Sequence, residues 1–131
     1  MTETLRFERH LAHPPEKVWR ALTEPAHLSA WYPMQVVDLD LRAGGAIRFR
    51  DEEGTEFRGE VTEVNPPKHF AFREYDPETG EHDARFELAP DGEGCVLVFT
   101  HSFVPGDWAA QVEIGWNRCL DALPAVLEAI A

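Results

Sequence analysis

The sequence predicts an α+β fold, a curved antiparallel sheet around one long C-terminal helix, on three observations. Residues 34–103 alternate apolar and polar side chains in six short runs separated by turn residues. Residues 107–130 switch period, with Val112, Trp116, Leu120, Leu123, Leu127 and Ile130 three or four positions apart. A sheet with one apolar face and a helix with one apolar stripe bury those surfaces most simply on each other.

The elements follow in order. Residues 4–12, TLRFERHLA, alternate around Leu5, Phe7 and Arg9 as an edge strand does. In PPEKVWRALTEPAHLSAWYP, residues 14–33, Pro14 and Pro15 suit a helix start, where a missing N–H costs nothing. Glu16 complements the first turn, and Val18, Trp19 and Leu22 share a face. Pro25 ends that helix, and a second short one runs up to Pro33. Six strands then alternate with turns: MQVVDLDLR, AIRFRD, TEFRGEVTEV, KHFAFREY, HDARFEL and CVLVFTHSF. Asp107 is placed to cap the final helix after Pro105 and Gly106, and Pro124 predicts a kink near Leu120 to Leu123.

Composition narrows the function classes. The 131 residues suit one domain, expected over 1–131, and 44% hydrophobic with 11% aromatic residues is a globular balance. Twelve Lys and Arg against 24 Asp and Glu give a net charge of −12. That charge repels phosphate backbones and anionic lipid, so no nucleic-acid or membrane partner is expected. No run approaches the ~20 apolar residues of a membrane span, and MTETLRFERH lacks the basic start and apolar core of a signal peptide. A cytoplasmic location is the resulting expectation. Cys95 and Cys119 sit in no metal-binding or redox spacing and read as two buried thiols.

Strand alternation assigns the inward side chains. Opposite positions are rich in Arg, Glu and Asp, so the inward sets are Ile47 with Phe49, Phe57 with Gly59 and Val61, and Phe70 with Phe72 and Glu74. His82, Ala84, Phe86 and Leu88 face in on the next run, and Cys95, Leu97, Phe99, His101 and Phe103 on the last. Tight turns at DPETG and APDGEG set Phe72 opposite Ala84, Glu74 opposite His82, Leu88 opposite Cys95 and His82 opposite His101. Glu74, His82 and His101 are then expected side by side at one end of the interior. The cluster is open to three readings: a solvated polar rim, a group that orients a ligand or moves protons, or three ligands of a metal. Trp31, Phe49, Phe57, Phe72, Phe86, Phe99, Trp108, Val112 and Trp116 are the candidate apolar lining, with Trp31 and Trp108 at the mouth and Gly59 leaving extra room.

Five stretches, in register over nearly the whole chain, resemble one known family. They are PPEKVWRALTEPAHLSAWYP, DLRAGGAIRF (40–49), GEVTEVNPPKHFAF (59–72), VFTHSF (98–103) and GWNRCLDALPAVL (115–127). The chain resembles the homologues of the activator of heat-shock protein 90 ATPase, in the START-like or SRPBCC superfamily; Ala43 stands where the family usually has proline. The resemblance implies a helix-grip fold in which sheet and helix enclose a pocket and two short helices close one end. It does not imply one activity, since co-chaperone domains, ligand carriers and polyketide cyclases share it. The co-chaperone carries a further N-terminal domain that these residues do not contain, which argues against a chaperone partner. The expected function is binding of a small hydrophobic or aromatic ligand by a monomer or homodimer, with no cofactor and no metal. An interaction module comes second, and a cyclase- or aromatase-like enzyme using Glu74, His82 and His101 third.

Overall fold

A computed structural model describes residues 2–130, so the two terminal residues of the expected span lie outside it. Among the described residues the chain runs β1 (Glu3–Leu11), α1 (Pro15–Thr23), α2 (Pro25–Trp31), β2 (Gln35–Leu39), β3 (Ala46–Arg50), β4 (Glu56–Asn65), β5 (His69–Asp76), β6 (Gly80–Asp91), β7 (Gly94–Phe103) and α3 (Ala109–Ala129). The seven strands form one antiparallel sheet in the order β1-β7-β6-β5-β4-β3-β2. This is the helix-grip arrangement, with β1 at one edge and β2 at the other. No helix among the described residues is long and apolar enough to cross a membrane.

Proline and turn chemistry set the early boundaries. Pro15 and Pro25 each occupy a first helical position, and Glu24 both ends α1 and precedes α2. The two helices are tied where the Trp31 indole Nε1–H donates to the Ala21 carbonyl at 2.9 Å. The apolar stripe of α3, Trp116, Leu120, Leu123 and Leu127, is buried against the sheet. The expected Asp107 cap does not form. The helix starts at Ala109, with Trp108 at its cap position and no side-chain bond to the free N–H groups. Downstream, α3 continues through Pro124 to Ala129.

The sheet's concave face is filled by rings. Phe86 lies 4.5 Å from Phe99 and 6.1 Å from Phe70, both stacked, and meets the edge of Trp31 at 6.0 Å. Phe49 and Phe72 continue the layer 5.6 Å apart. Each such pair adds roughly 0.5–1.5 kcal/mol beyond area burial. Gly59 leaves no room there: a Cβ on it lies 2.4 Å from the Arg73 carbonyl oxygen and 3.0 Å from Ile47. This glycine permits close strand contact rather than space.

Two hairpins control the register. Asp76 accepts the backbone N–H groups of Glu78 and Thr79, and Gly80 takes φ +90°. The β5–β6 pairing is the expected one, with Phe72 opposite Ala84 and Glu74 opposite His82. The β6–β7 pairing differs. β6 extends through Ala89–Asp91 and pairs with β7 from Gly94 on, around a turn of Gly92 and Glu93, so Leu88 faces Leu97, Ala84 faces His101 and His82 faces Phe103. The displacement from the expected pairing is even, so every side chain keeps its face.

Candidate functional site

At one end of the interior a cavity of about 280 Å³ opens between the sheet and the start of α3. Tyr32, Pro33 and Met34 line it from the segment after α2, and Val112, Gly115 and Trp116 from α3. Glu74 and Asp76 on β5, His82 on β6 and His101 on β7 complete the wall.

The expected cluster of Glu74, His82 and His101 therefore comes together, with Val112 and Trp116 beside it. The other aromatic candidates do not line this space. Phe49, Phe72, Phe86 and Phe99 are fully buried in the ring layer, because seven strands converging on one helix leave no gap at mid-sheet. Trp31 is turned into that layer and held by Ala21, so it anchors the two-helix lid instead of forming the mouth. Phe57 packs at the core margin and borders a separate surface hollow with Asp51 and Glu78. Trp108 lies over Gly106, where a Cβ would stand 2.0 Å from its ring. No group of three or more His, Cys, Asp or Glu among the described residues has the geometry to hold a metal ion.

The histidines form a directional chain. The Trp116 indole Nε1–H, which can only donate, makes a hydrogen bond to His101 Nδ1 at 2.9 Å. His101 therefore carries its hydrogen on Nε2, which is 2.9 Å from His82 Nδ1 and donates to it. His82 in turn carries its hydrogen on Nε2 and donates to Thr79 Oγ1 at 2.6 Å. A single donor-only indole thus sets both tautomers, and the order runs from α3 across β7 and β6 to the β5–β6 turn. In the observed register the two rings meet diagonally, with centroids 5.1 Å apart.

The chain holds both rings neutral. Protonating His101 would aim a second N–H at that of Trp116. Burial lowers the His101 pKa to about 4, with the neighbouring His82 adding to the effect. Burial also lowers His82, against the pull of Asp76 and Asp83. Thr79→Val removes the terminal acceptor and is expected to lower stability by about 1 kcal/mol, read by urea denaturation; an unchanged midpoint would contradict this order of bonds.

Glu74 is the opposite case. Its carboxyl makes no hydrogen bond or ion pair with any described residue. Burial first, and then the charge of Asp76, raise its pKa to about 7. The Tyr32 phenol is also pushed well above its ordinary value, by burial first and then by Glu74 and Cys119. Tyr32 stacks on Phe49 at 5.2 Å and meets Trp116 edge-on at 5.4 Å, so it is a rigid wall.

Pro33, Met34, Asp76 and Gly115 escaped the sequence reading of the lining. Tyr32 is the second ring of the pair that ends the proline-limited lid, and both rings are buried in the core. Met34 falls where the lid meets β2, beyond either period. Gly115 had a visible signal: a glycine inside an amphipathic helix weakens the helix by about 1 kcal/mol relative to alanine. Nothing lies within 4 Å of where its Cβ would be.

Comparison with known proteins places the geometry in context. A family model described as Activator of Hsp90 ATPase homolog 1-like protein matches residues 12–128. A Mesorhizobium loti protein of known structure is 26% identical, with 98% of this chain and 99% of that one covered and a TM-score of 0.83. CalU16 from Micromonospora echinospora shares the fold at 21% identity, over 96% of this chain and 76% of its own, with a TM-score of 0.83. DynU16, described as a protein in the dynemicin biosynthetic locus, is 26% identical with a TM-score of 0.82. The match covers 95% of this chain but only 47% of DynU16, so the chain spans about half of that protein's length. No curated protein matches.

Proposed function

Because the chain belongs to the Activator of Hsp90 ATPase homolog 1-like family, we propose that it is a single ligand-binding domain that takes a small, largely apolar or aromatic molecule in the cavity between sheet and C-terminal helix. The observation that carries this reading is Gly115. A helix interior tolerates glycine at a cost, and here the missing side chain keeps a pocket wall open. Tyr32, Met34, Val112 and Trp116 offer an apolar body, while Glu74 supplies a polar group. Few polar groups in a mostly apolar cleft is the usual composition of a small-molecule site. At about 280 Å³ the cavity is at the small end of such sites, roughly 300–1,000 Å³, and suits a compact ligand better than an extended chain. Similarity to DynU16, a protein of a biosynthetic locus, is in keeping with a small-molecule ligand.

Benzyl alcohol is a suitable neutral probe, followed by tryptophan fluorescence. The native protein is expected to bind it saturably, and Gly115→Leu, which fills the open space, to lose at least tenfold in affinity. That variant should also gain about 0.7 kcal/mol of stability, since leucine is the better helix former and a Cβ at this position meets nothing within 4 Å. Equal affinity in the two proteins, or no saturable binding in the native one, rejects the reading.

A further inference from the structure

In the cavity's polar wall Glu74 is the carboxyl with both oxygens unengaged by the described residues. His101 commits both ring nitrogens, to Trp116 and His82, and His82 commits both, to His101 and Thr79. The Asp76 Oδ1 is occupied by the turn. Glu74 has no hydrogen-bond partner among the described residues, and no Lys or Arg lines the space. On strand geometry Glu74 and Asp76 lie two residues apart on one face of β5, about 6.6 Å along the strand. Across from them stand the rings of Tyr32 and Trp116.

Resting on the reading of this cavity as a ligand site, we propose that its occupant is a small organic cation, an aryl- or alkylammonium compound. The nitrogen sits against Glu74 and Asp76, and the apolar body lies between Tyr32, Met34 and Trp116. Ammonium N–H groups match the free acceptors of Glu74, and the aromatic faces attract a cation. A ligand carboxylate would meet two acidic groups and no compensating cation. A neutral ligand would leave Glu74 either charged without a partner or protonated.

The charge that faces the ligand depends on pH in one direction. On β4 the residue opposite Glu74 is Gly59, which has no side chain. His82 on β6 and His101 on β7 are held neutral. Tyr32 after α2 and Cys119 on α3 are raised by burial and uncharged at pH 7. Asp76, on the same strand, is the other charged neighbour. Glu74 therefore controls the change: it is ionised above about pH 7 and loses its charge below.

The test compares benzylamine, benzyl alcohol and phenylacetate by isothermal titration calorimetry. At pH 8 benzylamine should bind at least tenfold more tightly than benzyl alcohol, with phenylacetate weakest. Benzylamine affinity should fall about tenfold from pH 8 to pH 6, following ionisation of a group near 7. Glu74→Gln should bring benzylamine affinity to within about twofold of benzyl alcohol affinity in the same variant, which separates the site from the general attraction of a chain of net charge −12. The inference is overturned if benzyl alcohol or phenylacetate binds as tightly as benzylamine, or if the preference survives in Glu74→Gln. Benzyl alcohol binding without any cation preference overturns the ammonium assignment alone. Failure of all three probes to bind overturns the cavity reading with it.

Discussion

His101→Leu is expected to destabilise the protein by about 3 kcal/mol near neutral pH. The substitution keeps an apolar side chain of similar bulk in a site that is 6% exposed. It leaves the Trp116 Nε1–H with no acceptor in the interior and strips His82 Nδ1 of its donor. A buried donor or acceptor without a partner costs roughly 1–3 kcal/mol, and the broken chain leaves one of each. His101 also lies against Phe103, with ring centroids 4.9 Å apart, so lost aromatic contact adds to the total. Thermal and urea denaturation at pH 7 check the value. A change under about 1 kcal/mol would mean that the indole finds another acceptor, and that His101 does not organise this end of the interior.

Glu74→Gln should do the reverse, stabilising the protein at pH 8 by about 2 kcal/mol. Folding raises the Glu74 pKa from about 4.5 to about 7, so the fold favours the protonated form. At 1.4 kcal/mol per unit that difference is on the order of 3 kcal/mol, and solvent reaching the cavity mouth reduces it to about 2. Below about pH 4.5 both folded and unfolded Glu74 are protonated and it imposes no penalty. As pH rises from 4.5 to 7 the unfolded chain releases the proton first, so this group's contribution falls. Glutamine never ionises, so the gain appears only at the upper end of that window.

His101 has the opposite slope. Its folded pKa is about 4 against an ordinary 6.5, so the fold favours the neutral ring. Its contribution is complete above about 6.5 and is lost as pH falls towards 4. The two windows overlap and the two slopes oppose each other, so the native protein should show little net dependence from this pair between pH 4.5 and 6.5. Each variant uncovers the other's slope: Glu74→Gln should lose stability steeply on acidification, and His101→Leu should gain it. Parallel pH profiles for the two variants would refute the assignment of opposite protonation preferences.

These effects depend on details of unequal legibility. Period-two alternation identified Glu74, His82, Phe86, Phe99 and His101 as inward, because a strand offers each side chain only two directions. The β5–β6 register followed from one turn, in which Asp76 and Gly80 have the chemistry that turn requires. The β6–β7 register did not, since Ala89, Pro90 and Asp91 read as turn residues and yet continue the ladder. The error was even, so it changed which residues pair and left their faces unaltered. That is why the histidines still meet.

By itself, then, the sequence determined the class of fold, the order of its elements and the face on which each strand residue lies. These rest on local period, proline and turn chemistry, which act within a few residues. Only the tertiary structure decided which inward residues fill the core and which border open space. Phe49, Phe72, Phe86 and Phe99 share an alternation pattern with Glu74 and His101, but their surroundings depend on where α3 crosses the sheet. The docking of that helix brings Gly115 over a gap and Trp116 within bonding distance of His101. Two histidine tautomers and the free carboxyl of Glu74 follow from that one contact and its neighbours, because hydrogen-bond direction is set by partners far apart in the chain.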